Sequence, residues 1–235
     1  DYVNFLVEDA ETELIILMVE GIRRPDAFKE AARKAHAAGK PILAVKVGQT
    51  EGARKSAQSH TGAIAGDYDV FAALCERYGI VLCPSLDDMI ETALAFQSGR
   101  LPKGDGMAFM SNSGGVVDLM HDHAGQENAR MPQLSPATSK AIRKLVGPDM
   151  PLQNPMDCGQ AGFADERNYM RVCEAVSKDQ QIHMVAFEAR TPNAPGGKSP
   201  EALRELADRT TLPIFAFCRM GHAPSEYGRQ FQDEA

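Results

Sequence analysis

Glu13-Leu14-Ile15-Ile16-Leu17-Met18-Val19 places one charge ahead of six consecutive apolar side chains, and Glu20-Gly21 closes the run. A continuous apolar run of this kind is the signature of a strand buried on both faces, as in a parallel sheet covered by helices. Pro25 then suits a first helical turn, and residues 26–38 alternate apolar and charged at helical spacing until Gly39 stops them. Pro41-Ile42-Leu43-Ala44-Val45-Lys46-Val47 is a second run like the first. Strand, helix and strand within about 35 residues is a parallel crossover unit, right-handed by default.

The same grammar extends in both directions. Residues 2–7 read as the end of a helix. After the second strand comes a loop over 48–66, a helix over 67–78 with Asp67 as cap, a short strand Ile80-Val81-Leu82, and a helix over 86–96. The segment 97–105 carries Gly99, Pro102 and Gly104 and reads as a linker. Beyond it stand a strand Met107-Ala108-Phe109-Met110, a glycine turn Ser111-Asn112-Ser113-Gly114-Gly115, and a helix over 116–123. A helix over 135–145 follows, with Ser135 as cap and Pro136 first. Next come a loop holding Asn154-Pro155-Met156-Asp157, a helix from about 165 to 177, and strands over 182–187 and 213–217 around a helix over 200–209. The expected fold is α/β, two tandem domains with parallel sheets. Their bounds are 1–98 and 106–235, the second truncated, with a linker at 99–105. A single barrel fits less well, because each half has too few strands to close.

Composition removes whole classes of function. A length of 235 residues suffices for two small domains with proper cores. No apolar run approaches a membrane span, so no membrane partner is expected. The net charge of -7 argues against a nucleic-acid surface, which needs clustered Lys and Arg, and any bound anion should be small. Cys75, Cys83, Cys158, Cys173 and Cys218 are odd in number and widely spaced, which suits buried thiols of a reducing cytosol. With no leader pattern at the N-terminus, a cytoplasmic location is expected. The chain begins at Asp1-Tyr2-Val3 and stops at Asp233-Glu234-Ala235 within a helical stretch, as an excised piece would.

In an open parallel sheet the ligand sits at the carboxyl ends of the strands, so residues that follow strands are the candidates. Gln58-Ser59-His60-Thr61-Gly62-Ala63-Ile64-Ala65-Gly66 sets an imidazole among small residues, which leaves the ring accessible. The bland alternative is a polar loop with an incidental histidine. Glu20 is either a solvated carboxylate at a strand end or the group that fixes the tautomer of His60 and leaves its other nitrogen nucleophilic. Ser111 to Gly115 is either a tight structural turn or an anion cradle at a helix start. Lys46, Arg54 and Lys55 flank the histidine loop as bases able to screen a phosphate, a role that ordinary surface bases equally mimic. Asn154-Pro155-Met156-Asp157 also reads as a plain turn. His121 and His123, two apart on a helix, point to different faces and make a poor metal pair; His36, His183 and His222 lack recognisable partners. No metal site is read.

With these residues in hand, the chain resembles the nucleoside-diphosphate-forming acyl-CoA synthetases, the superfamily that includes succinyl-CoA synthetase. Ser59-His60-Thr61-Gly62-Ala63 with Ala65-Gly66 is similar to that family's phosphohistidine signature. Glu20-Gly21-Ile22-Arg23 is similar to the segment whose glutamate holds the histidine, and Lys46-Val47-Gly48 to the lead into the loop. In the second half, Asn112-Ser113-Gly114-Gly115 is similar to the family's Asn-Ala-Gly-Gly turn, and Asn154-Pro155-Met156-Asp157 to its Asn-Pro-x-Asp. Gln49 stands where many relatives carry arginine, and Val116-Val117 where many have Pro-Gly.

The resemblance implies two flavodoxin-like domains and a reaction. Acyl-CoA and phosphate give acyl phosphate and CoA, His60 takes the phosphoryl group, and the phosphohistidine passes it to ADP or GDP, or the sequence runs in reverse. It makes His60 and Glu20 the catalytic pair and Asn112, Ser113, Gly114 and Gly115 the phosphate-binding turn. Lys46, Ser59, Thr61, Gly62, Asn154 and Asp157 then stand in support. It implies CoA and ATP or ADP with magnesium for the full enzyme, none of them bound by this piece alone. Its partners would be a CoA-binding Rossmann domain and an ATP-grasp domain or subunit absent from this chain, with an oligomer expected. A competing reading is a non-catalytic sensor region of the kind fused to protein acetyltransferases. A flavodoxin-like flavin binder ranks last, for want of an aromatic-rich loop.

Overall fold

The structure, a computed structural model, describes residues 2–61, 66–96, 99–148, 150–159, 166–189, 199–217 and 229; the side chains at 58, 60, 61, 166 and 199–202 lie outside it. Two compact units divide the chain, Asp1–Gly99 and Arg100–Ala235.

In the first unit, helix α1 (Tyr2–Glu8), strand β1 (Ile15–Val19), helix α2 (Pro25–Ala37) and strand β2 (Ile42–Lys46) are followed by helices α3 (Glu51–Thr61) and α4 (Tyr68–Tyr78). Strand β3 (Ile80–Cys83) and helix α5 (Leu86–Phe96) complete it. The three strands form one parallel sheet in the order β1-β2-β3, with Ile15 opposite Ile42 and Ile42 opposite Ile80. Every residue of β2 is buried, as a central strand requires. Ile15, Ile42 and Ile80 pack on one face with Phe71 and the small Ala32 and Ala35 of α2; Leu43, Val45 and Met89 pack on the other. Asp67 caps α4 by accepting from the Asp69 and Val70 amides at 2.9 and 3.1 Å.

The second unit runs strand β4 (Met107–Ser111), helix α6 (Gly114–Gln126), helix α7 (Pro136–Val146), strand β5 (Met156–Asp157), helix α8 (Glu166–Ser177), strand β6 (Met184–Glu188), helix α9 (Ser199–Arg209) and strand β7 (Ile214–Phe217). Its parallel sheet has the order β5-β4-β6-β7. Phe187, Ile142, Met156, Val172 and Val176 are all but sealed from solvent at its centre. Residues 100–106 are held on this unit: Arg100 donates to the Thr210 carbonyl at 3.0 Å, and the Gly106 amide donates to His183 Nδ1 at 3.2 Å. His183, for which the sequence suggests no partner, thus anchors the start of β4.

Several expectations are corrected. The run 13–19 is not buried on both faces: Ile16 and Met18 are 49% and 63% exposed, because β1 is the edge strand and α5 packs over β2 and β3. The loop 48–66 contains helix α3, stabilised by Thr50 Oγ1 accepting from the Ala53 amide (3.2 Å) and by the Glu51–Lys55 pair (2.7 Å). Residues 51–56 are all exposed, so no apolar stripe marked it. Met156–Asp157 is a two-residue strand rather than loop, α6 starts two residues earlier than the expected 116, and β6 ends on Glu188 rather than Phe187. Among the described residues no helix is long and apolar enough to cross a membrane. Cys75, Cys83, Cys158 and Cys173 are buried free thiols, and Cys218 lies outside the described residues.

Candidate functional site

At the carboxyl edge of the first sheet, Glu20 follows β1 and Lys46 ends β2. Lys46 is no surface base: it is 2% exposed, and its ammonium donates to the main-chain carbonyls of Glu20 at 2.9 Å and Val47 at 2.5 Å. One side chain thereby ties the exits of two neighbouring strands. Burial pushes the Lys46 ammonium below its ordinary range and Arg54 adds to the shift, while Asp67 and Glu20 oppose it. Two cations and two carboxylates therefore share this edge. Arg54 and Lys55 stay exposed on α3, Lys55 paired with Glu51.

His60 occupies the last turn of α3, about 14 Å along the helix axis from Glu51. Its side chain and that of Thr61 lie outside the described part, as do Gly62 and the residues to Ala65. Ser59 is exposed and donates to the Ser56 carbonyl at 2.7 Å, the back-bond of a helical serine.

At the carboxyl edge of the second sheet, the turn after β4 is more committed than its sequence suggests. Asn112 donates its amide to Glu188 Oε2 at 3.2 Å, and the Ser113 amide donates to Ser111 Oγ at 3.1 Å. Ser111 Oγ in turn donates to the same Glu188 oxygen at 2.6 Å. Ser113 is the N-cap of α6, so Gly114 and Gly115 hold its first two positions, whose amides have no partner within the helix. Of the turn's main-chain amides from Asn112 to Gly115, these two are left for an anion. Asp157 stands beside them: a Cβ on Gly114 would lie 3.0 Å from its Oδ2, and its Oδ1 accepts from the Gly159 amide at 2.9 Å.

Asn154 works within the fold. Its Nδ2 donates to the carbonyls of Met107 (2.8 Å) and Pro132 (2.9 Å), and its Oδ1 accepts from the Phe109 amide (3.1 Å). Glu188, 5% exposed, is the residue that sequence reasoning missed. It ends the apolar run Val185-Ala186-Phe187 at the same edge, so the strand-end rule that selects Glu20 also selects it.

Residues 1–96 match the family described as the succinyl-CoA ligase like flavodoxin domain. The first unit belongs to that family. Over 233 residues the chain is 34% identical to a trans-feruloyl-CoA synthase from an unknown prokaryotic organism, covering 97% of this chain and 33% of that protein. It is 29% identical to the alpha subunit of acetate–CoA ligase (ADP-forming) II from Pyrococcus furiosus, covering 94% and 49%. A solved structure of dinucleotide-forming acetyl-coenzyme A synthetase 1 from Candidatus Korarchaeum cryptofilum, with phosphate and ADP, aligns with a TM-score of 0.83 at 22% identity, over 99% of this chain and 50% of that one. That likeness shows that both units share their fold with the synthetase. The chain spans between a third and a half of these relatives. The succinyl-CoA ligase-like domain is the unit that carries Glu20, Lys46 and His60.

Proposed function

We propose that this chain is the histidine-bearing part of an ADP-forming acyl-CoA synthetase, with His60 as its phosphoryl carrier. The supporting observation is the charged edge of the first sheet, where Glu20 and the buried Lys46 meet directly before the helix that carries His60. A neutral imidazole is a competent nucleophile near pH 7, and a carboxylate on its N–H fixes the tautomer that attacks phosphorus. Acyl phosphate gives its phosphoryl group to the ring nitrogen and leaves as the acid; the phosphorus–nitrogen bond then breaks as ADP takes the group and becomes ATP. Lys46 holds the Glu20 main chain still at the strand exits, and in the second unit the Gly114 and Gly115 amides at the start of α6 offer a place for a phosphate by themselves. Each step is mainly positioning and charge stabilisation. Magnesium would come with the nucleotide in the full enzyme, and no step here is routed through it. CoA-binding and ATP-grasp segments, on the same polypeptide or on partner subunits, complete the cycle in the cytoplasm.

The test joins this chain to its complete subunits and supplies labelled ATP. Acid-labile, base-stable label should appear on the protein, vanish in His60→Ala, and fall by about a hundredfold in rate in Glu20→Gln. Label that persists in His60→Ala rejects the assignment. An intact protein that binds acyl-CoA yet never takes label would instead indicate the sensor reading.

A further inference from the structure

Helices α8 and α9 pack side by side and leave a cleft of about 100 Å³ between them. Its apolar floor is Met170 and Leu206, and its walls are charged. Glu174 takes both Lys178 (2.5 Å) and Arg209 (3.2 Å), and Arg209 reaches on to Glu205 at 3.7 Å. Two carboxylates and two cations make that cluster neutral. Arg167 and Arg171 line the same cleft, and neither has an ion-pair or hydrogen-bond partner among the described residues.

Both arginines are placed against local rules. Four residues apart on one helix they repel each other, and they occupy the half of α8 nearest its positive dipole end. An oxyanion seated between them would relieve both penalties. Planar guanidinium forks match the geometry of phosphate oxygens, and the cleft has the volume of roughly three waters, the scale of a phosphate group.

We propose that Arg167 and Arg171 form a binding site for a phosphate-sized dianion, either inorganic phosphate or the phosphate of a monoester. The site stands apart from the phosphohistidine reading, since it involves neither Glu20, His60 nor the turn after β4. The complete chain, with its arginine side chains labelled, is titrated with inorganic phosphate and separately with glycerol 1-phosphate, and the Nε–H resonances are followed. Saturable shifts are expected at Arg167 and Arg171. Affinity should drop at least about tenfold in the Arg167→Gln/Arg171→Gln double variant. The Arg167→Lys/Arg171→Lys pair, which keeps charge but loses the fork, should bind with intermediate strength, and Lys140→Gln, an exposed charge on α7, should leave binding unchanged. A monoester about tenfold tighter than phosphate identifies a phosphorylated molecule as the occupant, and equal affinities identify the free ion. Shifts that rise linearly without saturating, or a Gln double variant that binds as the parent does, overturn the proposal.

Discussion

Ser111 Oγ donates to Glu188 Oε2 at 2.6 Å, joining the carboxyl ends of β4 and β6 across 77 residues of sequence. Both side chains are buried, and the Asn112 amide converges on the same oxygen. Truncation by Glu188→Ala would leave a buried hydroxyl and a buried amide unsatisfied, at about 1–3 kcal/mol each. A loss of roughly 2–6 kcal/mol is therefore expected in urea unfolding. Glu188→Gln offers one carbonyl oxygen in place of Oε2 and should lose less than half as much. Equal losses in the two variants would mean that charge, rather than the shared acceptor, holds the turn.

Asn154 fills three hydrogen-bonding roles at once, two as donor and one as acceptor. At about 1 kcal/mol for each bond, Asn154→Ala should cost about 3 kcal/mol. Asn154→Asp has nearly the same shape but turns a carboxylate oxygen toward the Met107 and Pro132 carbonyls, so it should be at least as damaging at pH 7. A thermal melt in which Asn154→Asp matches wild type would refute this account.

Apolar runs and helix caps make most of the architecture legible in the amino-acid sequence. Ile42 to Lys46, Asp67 and Ser135 all act as their types and spacing suggest, because burial of a central strand and capping of a helix are local chemistry. What stays hidden depends on neighbours distant in sequence. Ile16 and Met18 read as core because nothing within β1 marks which strand lies at the edge. Helix α3 is hard to read because a helix exposed along its first turns has no periodic stripe there, and Glu188 because only the fold brings it to Ser111. Lys46 looks like any basic residue beside a loop, whereas its ammonium is enclosed by the carbonyls of two strand ends.

Asp179 should make the second unit sensitive to acid. Burial would raise its carboxyl pKa, but hydrogen bonds from the Ser135 amide (2.7 Å) and the Gln181 amide (3.1 Å) outweigh it and leave the group below its ordinary value of 3.8. The folded carboxyl thus holds its proton less tightly than the unfolded one. Its contribution is complete above pH 3.8 and is lost as pH falls through the depressed folded value. The stability gap between wild type and Asp179→Asn should be flat near neutrality and close as pH drops below about 4. A gap independent of pH down to about 3 would contradict the argument.

Gly114 and Gly115 are neighbours with opposite tolerances. A Cβ on Gly115 meets nothing within 4 Å, so Gly115→Ala should raise stability by about 0.5–1 kcal/mol, as alanine does in a helix. On Gly114 the same methyl comes within 3.0 Å of Asp157 Oδ2, a carboxylate already held by the Gly159 amide, so Gly114→Ala should destabilise instead. That proximity also bears on the proposed phosphate role of this turn. The Asp157 carboxylate complements the positive end of α6 and competes with any anion for the Gly114 and Gly115 amides. Such competition keeps a phosphoryl group loosely held, which suits a site that must release it. In the complete enzyme, Asp157→Asn should therefore tighten phosphate binding by about tenfold at low ionic strength, an advantage that fades as salt screens the charge. Weaker phosphate binding in Asp157→Asn, with the fold intact by circular dichroism, would show that the carboxylate helps to build the site rather than to empty it.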